Sequence, residues 1–211
     1  MKLAFIGIGK VGFALANRLQ QQGHDIIVAH DNPQSDSVVQ ALQKNPAFQT
    51  ATLQEAIHQA AVIFLATPFK INETLLPALD FHQKILIDCT NPVGPGLSHG
   101  LKSVRSGAEQ IQEWAPTARV VKSYTIYGFE NLANPTFDNY AVRPVMLIAG
   151  DDAESKTTVQ QLNTALGFDT LDTGALAQAL HLEHMTLLWV TMVRANGHTP
   201  HFTWAYLERP I

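Results

Sequence analysis

The sequence predicts an α/β fold: a Rossmann-type, doubly wound, mostly parallel sheet with a C-terminal helical extension. Three observations predict it. Short, continuously apolar runs alternate with helical patterns along most of the chain, the mark of strands covered on both faces by crossover helices. A glycine-rich turn, Gly7-Ile8-Gly9-Lys10-Val11-Gly12, follows the first apolar run and opens a helix. From Gly174 to Ala195 the alternation gives way to one longer amphipathic helix, followed by an aromatic tail of Phe202, Trp204 and Tyr206.

The elements follow in order. Leu3–Ile6 is a buried-type strand, and Val11, Ala14, Leu15 and Leu19 mark the apolar face of the next helix. Gly23 ends that helix in the usual way. Ile26–Ala29 is the second strand, closed by the turn residues His30-Asp31-Asn32-Pro33. Two strands joined by one helix form a right-handed parallel unit. Ser37–Leu42 is helical, and Thr52 with Glu55 has capping-box spacing for a helix through His58. Strands are expected at Ala61–Ala66, Ile85–Asp88, Arg119–Lys122, Val145–Ala149 and Asp169–Leu171. Helices are expected at Glu73–Leu79, Glu109–Trp114 and Ala153–Leu166. The one soft boundary, at Thr173-Gly174, divides a dinucleotide-binding domain (1–173) from a C-terminal helical segment (174–211) that packs on it at the substrate or dimer side.

Composition narrows the function classes. Apolar residues make up 46% and charged residues 15% of the 211, a globular balance. A net charge of −4 gives no general attraction to nucleic acid or anionic lipid, so neither is an expected partner. Apolar runs fall short of the roughly 18 residues that a membrane helix needs. Cys89 is the only cysteine, which excludes an internal disulfide; with no signal-peptide pattern, a cytoplasmic location is expected.

The glycine turn has chemistry only in its context. Asp31 lies 19 residues beyond Gly12, at the end of the second strand, where a dinucleotide site places its ribose acid. Gly7 permits the tight turn, Gly9 admits the pyrophosphate, and Gly12 lets helix and strand pack closely; the helix N-terminus offers its amides to the anion. A P-loop is excluded because Phe13, not Lys-Ser/Thr, follows Gly12. Lys10 either assists the phosphates or is solvated. A carboxylate at Asp31 accepts ribose hydroxyls but repels a 2′-phosphate, and no basic residue occurs between Arg18 and Lys44. NAD is therefore favoured over NADP, with protonated His30 as a partial offset.

Three segments are expected to meet beyond the strand ends: Gly7–Gly12, Thr67-Pro68-Phe69 and Thr90-Asn91-Pro92. The first two flank the nicotinamide half; Asn91-Pro92 covers the nicotinamide or substrate side. The cofactor residues are thus Gly7, Ile8, Gly9, Lys10, Val11, Gly12, His30, Asp31, Asn32, Thr67, Pro68, Phe69, Asn91 and Pro92. No metal is expected, since His181/His184 and His198/His201 lack a third ligand and the zinc-protease pattern. Cys89 reads as a packed small residue. Neither Tyr124 nor Tyr127 has a lysine four residues on, which excludes the short-chain dehydrogenases, and no G-x-S-x-G elbow occurs. A cofactor site is present with no protein acid or base, so no catalytic side chain is assigned.

The chain resembles the deazaflavin (coenzyme F-420)-dependent NADP reductases, whose relatives include the reductase domain of six-transmembrane metalloreductases, and shares the N-terminal pattern of pyrroline-5-carboxylate reductases. The resemblance rests on Ile6–Gly12, Gly23-His24-Asp25, Ala66-Thr67-Pro68-Phe69, Gly150-Asp151-Asp152-Ala153-Glu154-Ser155-Lys156, and Leu171-Asp172-Thr173-Gly174 before a Leu-rich helix. It implies hydride transfer between a nicotinamide and a flavin, deazaflavin or other small acceptor, which suits the missing acid–base residues. It also implies that Thr125-Ile126 and the last helix lie near the acceptor ring. The NADP-reducing members carry basic residues where this chain has His30-Asp31-Asn32. A homodimer through the last helix is expected. Two other readings stay open: a dinucleotide sensor without turnover, and an imine or carbonyl reductase with a proton donor at Tyr124, Tyr127 or His184.

Overall fold

The computed structural model describes residues 1–209. Its strands, in chain order, are β1 (Lys2–Ile6), β2 (Asp25–His30), β3 (Gln49–Thr52), β4 (Val62–Leu65), β5 (Ile85–Asp88), β6 (Arg119–Lys122), β7 (Val145–Gly150) and β8 (Asp169–Asp172). They form one eight-stranded sheet in the order β3-β2-β1-β4-β5-β6-β7-β8, whose first six positions follow the doubly wound nucleotide-binding order. Strands β1 to β6 are parallel; β7 is antiparallel to β6, and β8 is parallel to β7. The C-terminal ends of six strands therefore lie along one edge.

The helices are α1 (Lys10–Gln21), α2 (Asp36–Lys44), α3 (Leu53–Gln59), α4 (Asn72–Leu75), α5 (Gly107–Trp114), α6 (Phe129–Ala133), α7 (Ala153–Ala165) and α8 (Ala179–Arg194). Local chemistry explains their ends. The Gly23 N–H donates to Gln20 O (2.9 Å) and the His24 N–H to Leu19 O (3.1 Å), a Schellman stop with Gly23 at φ +84°. Thr52 and Glu55 form the expected capping box, and Ser106 with Glu109 forms another at α5. Lys84 reaches back to the C-terminal end of α3, donating to the carbonyls of Ile57, His58 and Ala60 at 2.7, 2.6 and 2.8 Å.

The core lies on both faces of the central strands, where Leu3, Phe5, Ile27, Phe64 and Ile87 are fully enclosed; Phe5 stacks on Phe64. Four features depart from the sequence expectation. β3 was unannounced because Gln-Thr-Ala-Thr is a polar edge strand with no buried side to pattern it. The predicted Glu73–Leu79 helix is a single α-turn flanked by 3₁₀ turns, with Pro77 breaking its second half. The short helix α6 fills the long connection into β7, and α8 starts at Ala179, preceded by a 3₁₀ turn over Leu176–Gln178. Among the described residues, no helix is long and apolar enough to cross a membrane.

The segment after Thr173 is sewn onto the sheet. Gly150 N–H donates to Gly174 O (3.0 Å) and Val145 N–H to Trp204 O (2.9 Å). The Asn131 side chain donates to the carbonyls of Pro200 (3.0 Å) and Phe202 (2.8 Å), which seats the aromatic tail.

Candidate cofactor and acceptor site

At the end of β1 the backbone turns at Gly7, whose φ of +92° favours glycine. A Cβ there would lie 2.7 Å from Ala66 C and Thr67 N, so the turn sits directly on the end of β4. A Cβ on Gly12 would strike the Gly7 carbonyl oxygen, whereas one on Gly9 would meet nothing within 4 Å. The three glycines thus do different work: two close the loop against its neighbours and one leaves open space above it. Gly9 is also the N-cap of α1, with no side-chain hydrogen bond and no acidic residue in the first turn. The first amides of α1 are therefore available to an anion, and the donor set fits a dinucleotide pyrophosphate.

A cleft of about 420 Å³ runs from this loop, lined by Gly7, Gly9, His30, Asp31, Ser35, Thr67 and Pro68 among others. Asp31 is its only formally charged residue; no Lys or Arg lines it. The ring Nδ1 of His30 is buried there without a partner. Asn32 is turned into its own backbone, its Oδ1 accepting from Gln34 N–H at 2.9 Å. Lys10 lies outside the cleft, its Nζ 5.0 Å from the Phe129 ring centre. Together with Arg18 and Lys44 it lines a neighbouring groove of about 470 Å³ that shares Ile8, Gly9 and Ser37. Val11 packs against the core. The Phe69 ring turns away, lying 5.4 Å from Trp114. Thr67 Oγ1 donates to Asn72 Oδ1 at 2.7 Å.

The other end of the site is closed. Thr125 is 2% and Ile126 0% exposed, and α8 covers them, Thr186 Oγ1 donating to Thr125 O at 2.8 Å. The Oγ1 of Thr125 and the Oδ1 of Asn91 are buried without partners. Beneath them lies a charged cluster that sequence reasoning missed. Lys122 Nζ lies 2.9 Å from Asp88 Oδ2 and 3.0 Å from Glu183 Oε1, and it donates to Thr90 O at 2.5 Å. All three side chains are 0–1% exposed. Glu183 also accepts from the N–H groups of Gly107 (2.8 Å) and Ala108 (3.2 Å) at the start of α5. His99 Nε2 lies 2.8 Å from Glu183 Oε2, while its Nδ1 accepts from Leu101 N–H (3.3 Å) and Ser103 N–H (3.2 Å). Two backbone donors on Nδ1 make His99 a neutral ring that donates from Nε2.

Burial alone would lower the Lys122 pKa, but Asp88 and Glu183 outweigh it and hold the ammonium above its ordinary value. Burial would likewise raise the Glu183 carboxyl; Lys122, the Gly107 amide and His99 hold it below its ordinary value instead. A signal for this cluster existed: Asp88 and Lys122 end adjacent apolar strands and are register partners in the β5–β6 ladder.

Of the residues considered as proton donors, Tyr127 and His184 have partners, whereas the buried Tyr124 hydroxyl has none. Tyr124 is buried, and burial pushes its hydroxyl well above the ordinary value. Tyr127 donates to Val145 O, with Trp204 O at 3.1 Å, and burial pushes it to about 12. His184, exposed, pairs with Ser103 Oγ at 2.9 Å. Cys89 is buried, its thiol pushed well up by that burial, as a packed small residue should be.

A parallel sheet, a glycine turn beneath an uncapped helix and an acid at the end of β2 define a Rossmann-type dinucleotide-binding class, and the proteins to which the chain is similar include NAD(P)-dependent oxidoreductases. The family described as "NADP oxidoreductase coenzyme F420-dependent" matches residues 2–92. A structure provisionally assigned as an F420-dependent NADP-reductase, from Arthrobacter sp. FB24, superposes with a TM-score of 0.83 at 26% identity, covering 99% of this chain and 100% of that one. Rat metalloreductase STEAP3 is 31% identical over 188 residues, 88% of this chain. The chain spans 36% of that relative's length. The 1-pyrroline-5-carboxylate reductase of Streptococcus pyogenes shares the fold, with a TM-score of 0.59 at 16% identity, over 95% of this chain and 72% of that one. The chain is thus similar to the coenzyme F420-dependent NADP oxidoreductases and their relatives, as its motifs implied.

Proposed function

We propose that the chain binds a nicotinamide dinucleotide across the edge of the sheet and passes hydride between it and a small acceptor. The observation that carries this reading is the open face of Gly9 at the uncapped start of α1, at the head of a cleft that leads to Asp31. The α1 amides and the Gly7–Gly12 backbone would hold the pyrophosphate, Asp31 the adenine ribose, Thr67 and Pro68 the middle of the cofactor, and Asn91 with Pro92 its nicotinamide end. The nicotinamide itself supplies the hydride chemistry when bound. The chain's own residues bind, orient and exclude water; Tyr127 and His184 are engaged elsewhere and Tyr124 is only 1% exposed, which sets the imine or carbonyl reductase reading behind this one.

Residues 1–173 would serve the cofactor and 174–211 the acceptor. Because Thr125 and Ile126 are enclosed, they would support a flavin, deazaflavin or other small acceptor from beneath, with α8 beside it. The same helix leaves Leu188 51% exposed, which supports a homodimer through this face, checked by sedimentation. A cytoplasmic setting suits the single unpaired cysteine.

Asp31 as the only charge lining the cleft favours NAD over NADP. Titrating NADH and NADPH into the wild type and Asp31→Ala tests this: the wild type should bind NADH more tightly, and the variant should lose that preference. A tenfold wild-type preference for NADPH, about 1.4 kcal/mol, would overturn the assignment of Asp31. Oxidation of the preferred cofactor with FMN, riboflavin and 5-deazariboflavin tests turnover; tight binding without turnover would favour a sensor.

A further inference from the structure

The buried cluster of Asp88, Lys122, Glu183 and His99 has no part in binding as described above, yet its charged groups are closely bonded to one another and to the backbone. Lys122 has three N–H donors and three acceptors, Asp88 Oδ2, Glu183 Oε1 and Thr90 O. Asp88 Oδ1 accepts from both Thr90 N–H (2.8 Å) and Thr90 Oγ1 (2.7 Å). Glu183 spends one oxygen on Lys122 and Ala108 and the other on His99 and Gly107. Two carboxylates, one ammonium and a neutral imidazole leave one net negative charge, which the positive end of α5 faces.

His99 offers this network no route for a proton, because its Nδ1 already accepts from two backbone donors. The network's geometry does something else. Thr90 is gripped at its amide, hydroxyl and carbonyl, and the next residue, Asn91, keeps a buried amide oxygen with no partner. An unsatisfied buried acceptor costs free energy unless a ligand completes it. The opposite end of the same network is Glu183, on α8. One rigid cluster therefore fixes both the strand end beside the nicotinamide position and the helix beside the acceptor position.

We propose that Asp88, Lys122 and Glu183 are positioning residues: they hold Asn91 to accept from an N–H donor such as the nicotinamide carboxamide, and they lock α8 to that same point so cofactor and acceptor stay in register. The inference rests on the proposed dinucleotide reading. Loose registration is costly, since small misplacements of reacting atoms lower rates by about a hundredfold.

The test uses Glu183→Gln, which keeps side-chain shape, and Lys122→Arg, which keeps the charge. NADH and NADPH are titrated by calorimetry, reduction of FMN and 5-deazariboflavin is timed, and hydrogen exchange of residues 179–194 is followed with and without the preferred dinucleotide. The expected result for Glu183→Gln is a dinucleotide Kd within threefold of wild type, a kcat at least tenfold lower where the wild type turns over, and loss of the protection that dinucleotide gives α8. Lys122→Arg should keep part of that protection. Equal protection of α8 in wild type and Glu183→Gln, or none in the wild type despite binding, would overturn the proposal. A wild type that binds neither dinucleotide would overturn the reading on which it rests, and the proposal with it.

Discussion

At the ends of β1 and β2 the polar groups are left open, whereas at the ends of β5 and β6 the charged groups are all closed. The first region presents the uncapped amides of α1, a bare Gly9, an unpartnered His30 Nδ1 and a carboxylate on the surface of a cleft. The second presents Lys122 with every donor used, between two carboxylates at most 1% exposed. Openness has its reason in what is to be bound: a pyrophosphate brings its own acceptors, so donors can wait for it in water at small cost. A charge removed from water cannot wait, because burying it unpaired costs several kcal/mol. The lesson is that a site can be ready for a ligand at one end and structurally committed at the other.

The closed end is most vulnerable at Lys122. Lys122→Met leaves two buried carboxylates without their cation, and a loss of about 3–5 kcal/mol is expected, read from the denaturant midpoint. At the open end, Gly12→Ala drives a Cβ into the Gly7 carbonyl. Overpacking of this kind costs about 1–3 kcal/mol, so that variant should lose both stability and dinucleotide binding. The pH dependence sharpens the contrast further. Glu183 sits below its ordinary 4.5, so its stabilisation is complete above that value and drains as pH falls through the lower folded value. Lys122 sits above its ordinary 10.5, so its share is complete below that value and is lost as pH rises through the higher folded one. The network's contribution to unfolding free energy should therefore be flat across neutral pH and fall at both extremes; Glu183→Gln should flatten the acid limb. An acid limb unchanged by that substitution would place the transition in other carboxylates.

The two regions also differ in how far the sequence revealed them. The open end was legible because its chemistry is local: glycines, helix start and Asp31 occur within one strand–helix–strand unit, and each requirement falls on a residue type that few others can replace. The closed end joins residues 88, 99, 122 and 183, and no spacing rule connects positions brought together only by the sheet. Asp88 and Lys122 looked like ordinary strand termini until their register made them neighbours, and Glu183, between His181 and His184, carried no signal of its own. Phe69, read as a cofactor contact because it follows Thr67-Pro68, lies against Trp114 instead, since the 3₁₀ turn that begins there directs its ring onto α5. Thr125 and Ile126 were placed beside an acceptor by resemblance; a residue's depth under a distant helix leaves no trace in its own neighbours.

Gly9→Ala probes the proposed pyrophosphate position with the least disturbance to the fold, because no other atom of the fold lies within 4 Å of where its Cβ would sit. Its backbone is extended, at φ −69° and ψ −160°, a conformation open to alanine, and its Cβ would touch nothing. Thermal unfolding and NADH titration of this variant should show a melting temperature within a degree or two of wild type, together with dinucleotide affinity at least tenfold weaker, about 1.4 kcal/mol. Unchanged affinity in a well-folded Gly9→Ala protein would contradict the account, since the pyrophosphate would then not approach the chain at this loop.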